Sequence, residues 1–373
     1  MVVHPFADPD VRAVRAGLSL FAGQALPEPL MAVAEAVGLT PRGWVFPSYI
    51  TEPEPLSWFD ADRLLHRGQD LLAAAAGSGL RMLVPGDTGW PAGTAADELP
   101  CLWVAGNVDL GQLLRASVTV TGSRDCSVYG AGATKQLAAG LAQVGYTVVA
   151  LASSGVDDLA VRAAVEHGGP VVVVGAGEPL VSVSGRLREE RADAGGFGVV
   201  SPFPPGIPPS QPRRAIAQRL LASLSPVTVI PEASADSGAM QVAAFAAELG
   251  RTVCAVAGRF GWDHSDGGDR LLSTGGARLV RDVDDIAAAH GASGPPVAPG
   301  GPVLFEVTGL ASWDDGRWRS RKVPTVHVLA DNAERAADVV FDLLFGGRRE
   351  PAVLDAAVRS PDGSYRPIQI SIG

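Results

Sequence analysis

The chain has 373 residues, a formal net charge of −10, and 47% hydrophobic and 19% charged residues. That length predicts two or three domains with a sizeable core, and the acidic balance argues against a uniformly basic nucleic-acid binder while leaving room for a local cationic patch. The three cysteines, Cys101, Cys126 and Cys254, have neither metal-ligand nor disulfide-framework spacing. They predict a reducing compartment, and with no apolar run of membrane length and no basic-then-apolar leader the cytosol is the expected location.

Residues 1–58 predict a small helical cap, with helical patterns over 11–20 and 29–37 and a proline-rich stretch over 41–55. A stronger helix follows over 60–76, where Leu64, Leu65, Leu71 and Leu72 recur at helical spacing. Strands are expected over 81–84 and 100–105, each closed by a glycine turn, as extensions of a main sheet. Trp90 and Trp103 are read as core, since aromatics dominate buried area.

The organising stretch is 117–157. Val118-Thr119-Val120-Thr121 breaks at Gly122-Ser123-Arg124, a helical pattern runs over 129–144, and Thr147-Val148-Val149-Ala150 ends in Ala152-Ser153-Ser154-Gly155. Strand, glycine loop, helix, strand, glycine loop is a βαβ unit with an expected right-handed crossover. Its loops fall at the carboxyl ends of the strands, where open parallel sheets bind ligands. The chemistry suits an anion. Gly122 permits close backbone approach, Ser123 offers a hydroxyl and an N–H, and Arg124 a charged fork. The next helix is expected to aim its N-terminal N–H groups at the same spot. Ser153, Ser154 and Gly155 repeat the design.

Further on, a helix ends at His167, read as its C-terminal cap, and Val171–Val174 reads as a strand buried on both faces. A charged helix over 186–194 reads as a solvated face, and a strand over 197–200 leads into a rigid proline turn. Gln211-Pro212-Arg213-Arg214 opens a helix; two arginines there oppose the dipole, which a bound anion would explain. After a strand over 227–230, Asp236 is the expected N-cap of a helix running to Leu249, and Ser237-Gly238 form a third anion-compatible loop. A strand over 252–256 precedes a glycine-rich loop. Asp263, His264 and Asp266 in that loop lack further ligands at metal spacing, so no metal is expected. A short helix over 269–273, a strand over 278–280 and a helix over 283–289 close the unit. Residues 291–301 read as a linker, and 302–373 as a small α+β domain with strands over 302–307, 324–329 and 366–372 and a helix over 333–344. Its basic run, Arg317, Trp318, Arg319, Arg321 and Lys322, suits nucleic-acid or protein contact, or is an exposed loop.

Several motifs recur in a set order. They are Val84-Pro85-Gly86-Asp87, Trp90-Pro91, Leu102 to Gly106, and Gly122-Ser123-Arg124 with Tyr129-Gly130. Ala150 to Asp157, Ser201-Pro202-Phe203-Pro204-Pro205-Gly206 and Ala235 to Ala239 follow, then Ala257-Gly258, Gly267 to Leu272 and Gly275-Gly276-Ala277. Over residues 60–290 this set resembles the DprA/Smf family of DNA-processing proteins. The resemblance implies a Rossmann-like, doubly wound parallel sheet over residues 59–290. It implies a non-enzymatic protein that binds single-stranded DNA and helps load a RecA-type recombinase during transformation or recombination. A homodimer is implied, with no cofactor and no membrane partner. The expected DNA- or phosphate-binding residues are Gly122, Ser123, Arg124, Ser153, Ser154, Gly155, Arg213, Arg214, Ser237 and Gly238. The chain departs from the family at Ser154 (arginine there), Pro202 (glutamate) and Asp269 (asparagine), and lacks the asparagine-rich run around Arg213. Two other readings stay open: a nucleotide sensor, and an enzyme that cleaves a nucleotide's glycosidic bond with Glu232.

Overall fold

A computed structural model describes residues 8–22, 28–39, 61–106, 108–177, 196–259 and 261–291, together with strands over 303–313, 319–330, 353–359 and 365–371. The first nine strands are β1 Leu80–Leu83, β2 Leu102–Ala105, β3 Ser117–Val120, β4 Thr147–Leu151, β5 Val171–Val174, β6 Phe197–Ser201, β7 Val227–Ile230, β8 Thr252–Val256 and β9 Arg278–Val280. They form one sheet in the order β1-β2-β6-β5-β4-β3-β7-β8-β9. From β6 across to β9 every neighbouring pair is parallel. The two N-terminal strands do extend this sheet, but by antiparallel pairing, β1 on β2 and β2 on β6.

The chain winds outward from β3 to β6, then returns across β3 to start β7. Val118 pairs with Val148 on one side and Val227 on the other. Strand order therefore reverses between β3 and β7. The central strands are β-branched and buried along their length, as a sheet covered on both faces requires. Alternation sorts their side chains. Val118, Val120 and Val148 pack with Leu137 and Leu141 of helix α5 (Val128–Gln143), Ala160 and Ala164 of α6 (Val156–Glu166), and Ile286 of α10 (Val283–Gly291). Val149 and Ile230 face the other way, against Leu220 and Leu221 of α7 (Gln211–Leu224) and Val242 and Phe245 of α8 (Gly238–Glu248). This is the doubly wound sheet that the resemblance implies.

Helices α1 (Pro9–Leu18) and α3 (Ala61–Gly77) continue the α6 layer, and α4 (Leu110–Leu113) and α9 (Asp266–Ser273) are short helices in the connections before β3 and β9. Ala16, Leu71 and Ala75 share a core with Met82, Trp103 and Val173. α2 (Glu28–Ala36) lies beside them and contributes Leu30 and Ala34 to a core with Leu18 and Leu64. α1 and α3 approach so closely that a Cβ on Gly68 would strike the Ala13 carbonyl. Arg15 is fully buried and donates to the carbonyls of Pro100 (2.6 Å), Val37 (2.7 Å) and Leu99 (3.3 Å); burial lowers its pKa to about 10. Trp90 and Trp103 are buried as expected, each with its indole N–H satisfied, by Asp97 and Ser19.

The C-terminal strands β10 (Val303–Trp313), β11 (Arg319–Ala330), β12 (Val353–Arg359) and β13 (Tyr365–Ser371) form an antiparallel sheet in the order β11-β10-β12-β13. β12 has no counterpart in the sequence reading, because Val353-Leu354-Asp355-Ala356-Ala357 fits a helix as well as a strand. Arg319, Arg321 and Lys322 lie in β11, not in a loop. Arg317, Trp318 and the helices expected over 186–194 and 333–344 lie outside the described residues.

Candidate anion-binding crevice

The carboxyl ends of β3, β4 and β5 and the starts of α6, α7 and α8 enclose a crevice of about 220 Å³. Its base is two interlocked loops. After β3 the chain stays bound to β7: Thr121 N donates to Val229 O (3.1 Å) and Ser123 N to Glu232 O (3.0 Å). A Cβ on Gly122 would run into the Glu232 carbonyl and Val156, so only glycine fits there. Gly155 has φ +75° and lies against the Ser123 and Arg124 carbonyls, and Val156 N donates to Ser123 O (3.1 Å). Both glycines thus serve close backbone approach.

Asp157 ties the same loops together. It is 2% exposed and accepts from Leu151 N at 2.9 Å, with further hydrogen bonds from the Thr121 hydroxyl and Gly122 N. Burial outweighs those donors and pushes its pKa up to about 7. The sequence reading gave Asp157 no such role. An acidic residue in a helix's first turn reads as an ordinary dipole partner.

The positive end of α5, expected to face the anion, is occupied by protein. Glu232 is buried, and its two oxygens accept from Ser127 N and Ser127 Oγ, both at 2.7 Å. Ser127 in turn caps α5 by accepting from Gly130 N. Glu232 is therefore turned away from the crevice, and the reading that made it a glycosidic-bond catalyst loses its carboxylate.

Gly122, Arg124, Ser153, Arg214, Ser237 and Gly238 line the crevice together. Arg124 and Arg214 are exposed, and among the described residues neither guanidinium is paired with a carboxylate. Arg213 stands elsewhere, donating to the Pro208 carbonyl (2.7 Å) with its guanidinium 6.0 Å from the Phe203 ring centroid. Ser123 is buried, its hydroxyl accepting from Ser234 N (3.1 Å), and Ser154 is exposed outside the lining. The N-cap of α8 is Ser237, accepting from Ala239 N (3.2 Å), rather than Asp236, whose carboxylate takes the Ser234 hydroxyl. Gln218, unforeseen from the sequence, lines the wall and donates to Gly238 O (3.1 Å). His167 stands at the α6 C-terminus as expected.

An open, doubly wound parallel sheet with its crevice at the reversal of strand order defines a Rossmann-like protein. A family model described as DNA recombination-mediator protein A matches residues 81–291. A DprA-type DNA processing protein of Mycobacterium tuberculosis (strain H37Rv) is 31% identical over 320 residues, covering 69% of this chain and 82% of the relative. Protein Smf of Escherichia coli K12 is 32% identical over 213 residues, 55% of each. The X-ray structure of DprA from Streptococcus pneumoniae superposes with a TM-score of 0.55 at 23% identity, covering 77% of this chain and 98% of that one, which bears out the fold. The chain belongs to the DprA/Smf family of DNA recombination-mediator proteins.

Proposed function

We propose that the crevice binds the phosphodiester backbone of single-stranded DNA, and that the chain, as a homodimer, presents that strand to a RecA-type recombinase. The observation that carries this reading is the pair of exposed, unpaired guanidinium groups at one crevice, Arg124 and Arg214. Several other arginines are matched to carboxylates: Arg12 to Asp87, Arg219 to Glu98 and Glu248, Arg281 to Asp285. In a chain of net charge −10, two unmatched cations beside the starts of α6, α7 and α8 make a local anion site. The guanidinium forks would take phosphate oxygens and the loops would position the backbone. The work is binding rather than bond-making. The reading carries with it a division into a cap (1–58), a sheet domain (59–290), a linker (291–301) and a C-terminal unit (302–373). Among the described residues no helix is long and apolar enough to cross a membrane.

Fluorescence-anisotropy titration with labelled oligo-dT tests the proposal. Arg124→Ala with Arg214→Ala is expected to weaken binding at least about tenfold, since charge-assisted contacts are each worth ~1.5–3 kcal/mol. Arg281→Ala, removing an exposed but paired arginine, should leave it unchanged. Equal affinity of all three proteins would overturn the assignment. An affinity insensitive to strand length and salt would favour a single nucleotide as the ligand.

A further inference from the structure

A second surface shares the crevice's edge of the sheet. β8 neighbours β7, and β7 neighbours β3, so the turn after β8 starts about 10 Å from Gly122 at two strand spacings. The exposed aromatic side chains among the described residues are Tyr129 and Trp262, at 44% and 39%, and both stand here. Tyr129 opens α5 just after the Arg124 loop, and its hydroxyl donates to Ala257 O at 2.8 Å. Trp262 crests the following turn, with the Arg259 guanidinium 4.7 Å from its ring centroid and the His264 ring 6.0 Å away.

That turn is a built structure. Gly258 N donates to the Asp269 carboxylate (2.8 Å), Trp262 N to Arg259 O (3.2 Å) and Ser265 N to Trp262 O (3.0 Å). A hydrogen-bonded loop that holds an indole in water forgoes the burial such a ring normally finds. We infer that Tyr129, Arg259 and Trp262 form a stacking platform for the bases of a single strand continuing out of the crevice. The inference rests on the strand-binding reading of the crevice. An aromatic ring with a guanidinium against it is the surface on which unpaired bases stack, whatever their sequence. The exposed carboxylates of Asp263 and Asp266 flank the turn. They disfavour phosphate here, so the platform takes base faces while Arg124 and Arg214 take the backbone. The contact from Tyr129 to Ala257 ties the start of α5, next to the Arg124 loop, to the turn after β8.

The test uses the full chain, oligo-dT and an abasic strand of the same length. Trp262→Ala should lose about five- to tenfold in affinity for oligo-dT, the lower part of the range for one stacked base. It should lose nothing on the abasic strand and keep the wild-type salt slope. Trp262→Phe should recover most of the loss. Because Trp262 is exposed, an unchanged unfolding midpoint is expected and reports that the variant is folded. Wild-type affinity of Trp262→Ala for oligo-dT, or an equal loss on the abasic strand, would overturn the platform and leave the surface to a protein partner. Failure of wild-type protein to bind either strand would instead overturn the crevice reading beneath it.

Discussion

Glu232, just past β7, and Asp157, in the first turn of α6, are both buried carboxylates, and their surroundings give them different work. Glu232 holds the start of α5 through Ser127. Glu232→Gln leaves one Ser127 donor facing an amide N–H, so a loss of ~1–3 kcal/mol in urea unfolding is expected, with oligo-dT affinity unchanged. Asp157 carries a pH signature. Its folded pKa stands near 7 against the ordinary 3.8, so between those values the folded chain holds a proton that the unfolded chain has released. Stability from this group is complete below the unfolded pKa and falls as pH rises through the folded one, by at most ~1.4 kcal/mol per pH unit. Asp157→Asn removes that slope. Urea titrations between about pH 5 and about pH 7 should therefore show wild type losing stability relative to the variant; parallel pH profiles would mean that the carboxylate is charged in the fold. Neither role was legible in the sequence. Gly-Ser-Arg and Ser-Ser-Gly announce residue types suited to an anion, but Ser123 turns inward to Ser234 and Ser237, not Asp236, caps α8. Adjacent polar residues compete for the same turn positions, and a decision made by packing leaves no local trace.

Helices and strands were readable where period and punctuation agreed. The β3–α5–β4 unit, the buried Val171–Val174 strand and the α8 helix all follow from apolar runs cut by glycine. What a run does not encode is its partner. β1 and β2 carry the same apolar signal as β3, yet pair antiparallel, since pairing sense is set by connections and not by the strand itself. Glycines inside helices show the same gap. Gly68 in α3 and Gly132 in α5 look equivalent in sequence, and helix propensity alone favours alanine at both by about 1 kcal/mol. At Gly68 the added methyl would meet the Ala13 carbonyl, whereas at Gly132 nothing lies within 4 Å. Overpacking against backbone costs ~1–3 kcal/mol or more, which exceeds the propensity gain. Gly68→Ala should thus lower the unfolding midpoint and Gly132→Ala should raise it. The same sign for both would show that α1 and α3 can move apart.

Composition describes the whole molecule as acidic, and the proposed binding of a strand by a chain of net charge −10 requires its attraction to be concentrated in a small area. Local cations displace counterions from the strand, while distant carboxylates are screened beyond about 8–10 Å in ordinary salt. The salt dependence of binding therefore counts the engaged cations rather than the net charge. For single strands the slope of log association constant against log salt is about −0.7 per phosphate neutralised. One crevice with Arg124 and Arg214 predicts about −1.4, and two crevices of a homodimer holding one strand predict about −2.8. Arg124→Ala should make the slope shallower by about 0.7 in the first case and about 1.4 in the second. The slope and its change thus report together how many crevices share a strand. A slope near zero, with binding intact, would mean that the ligand is held without phosphate contacts and that the two guanidinium groups serve another purpose.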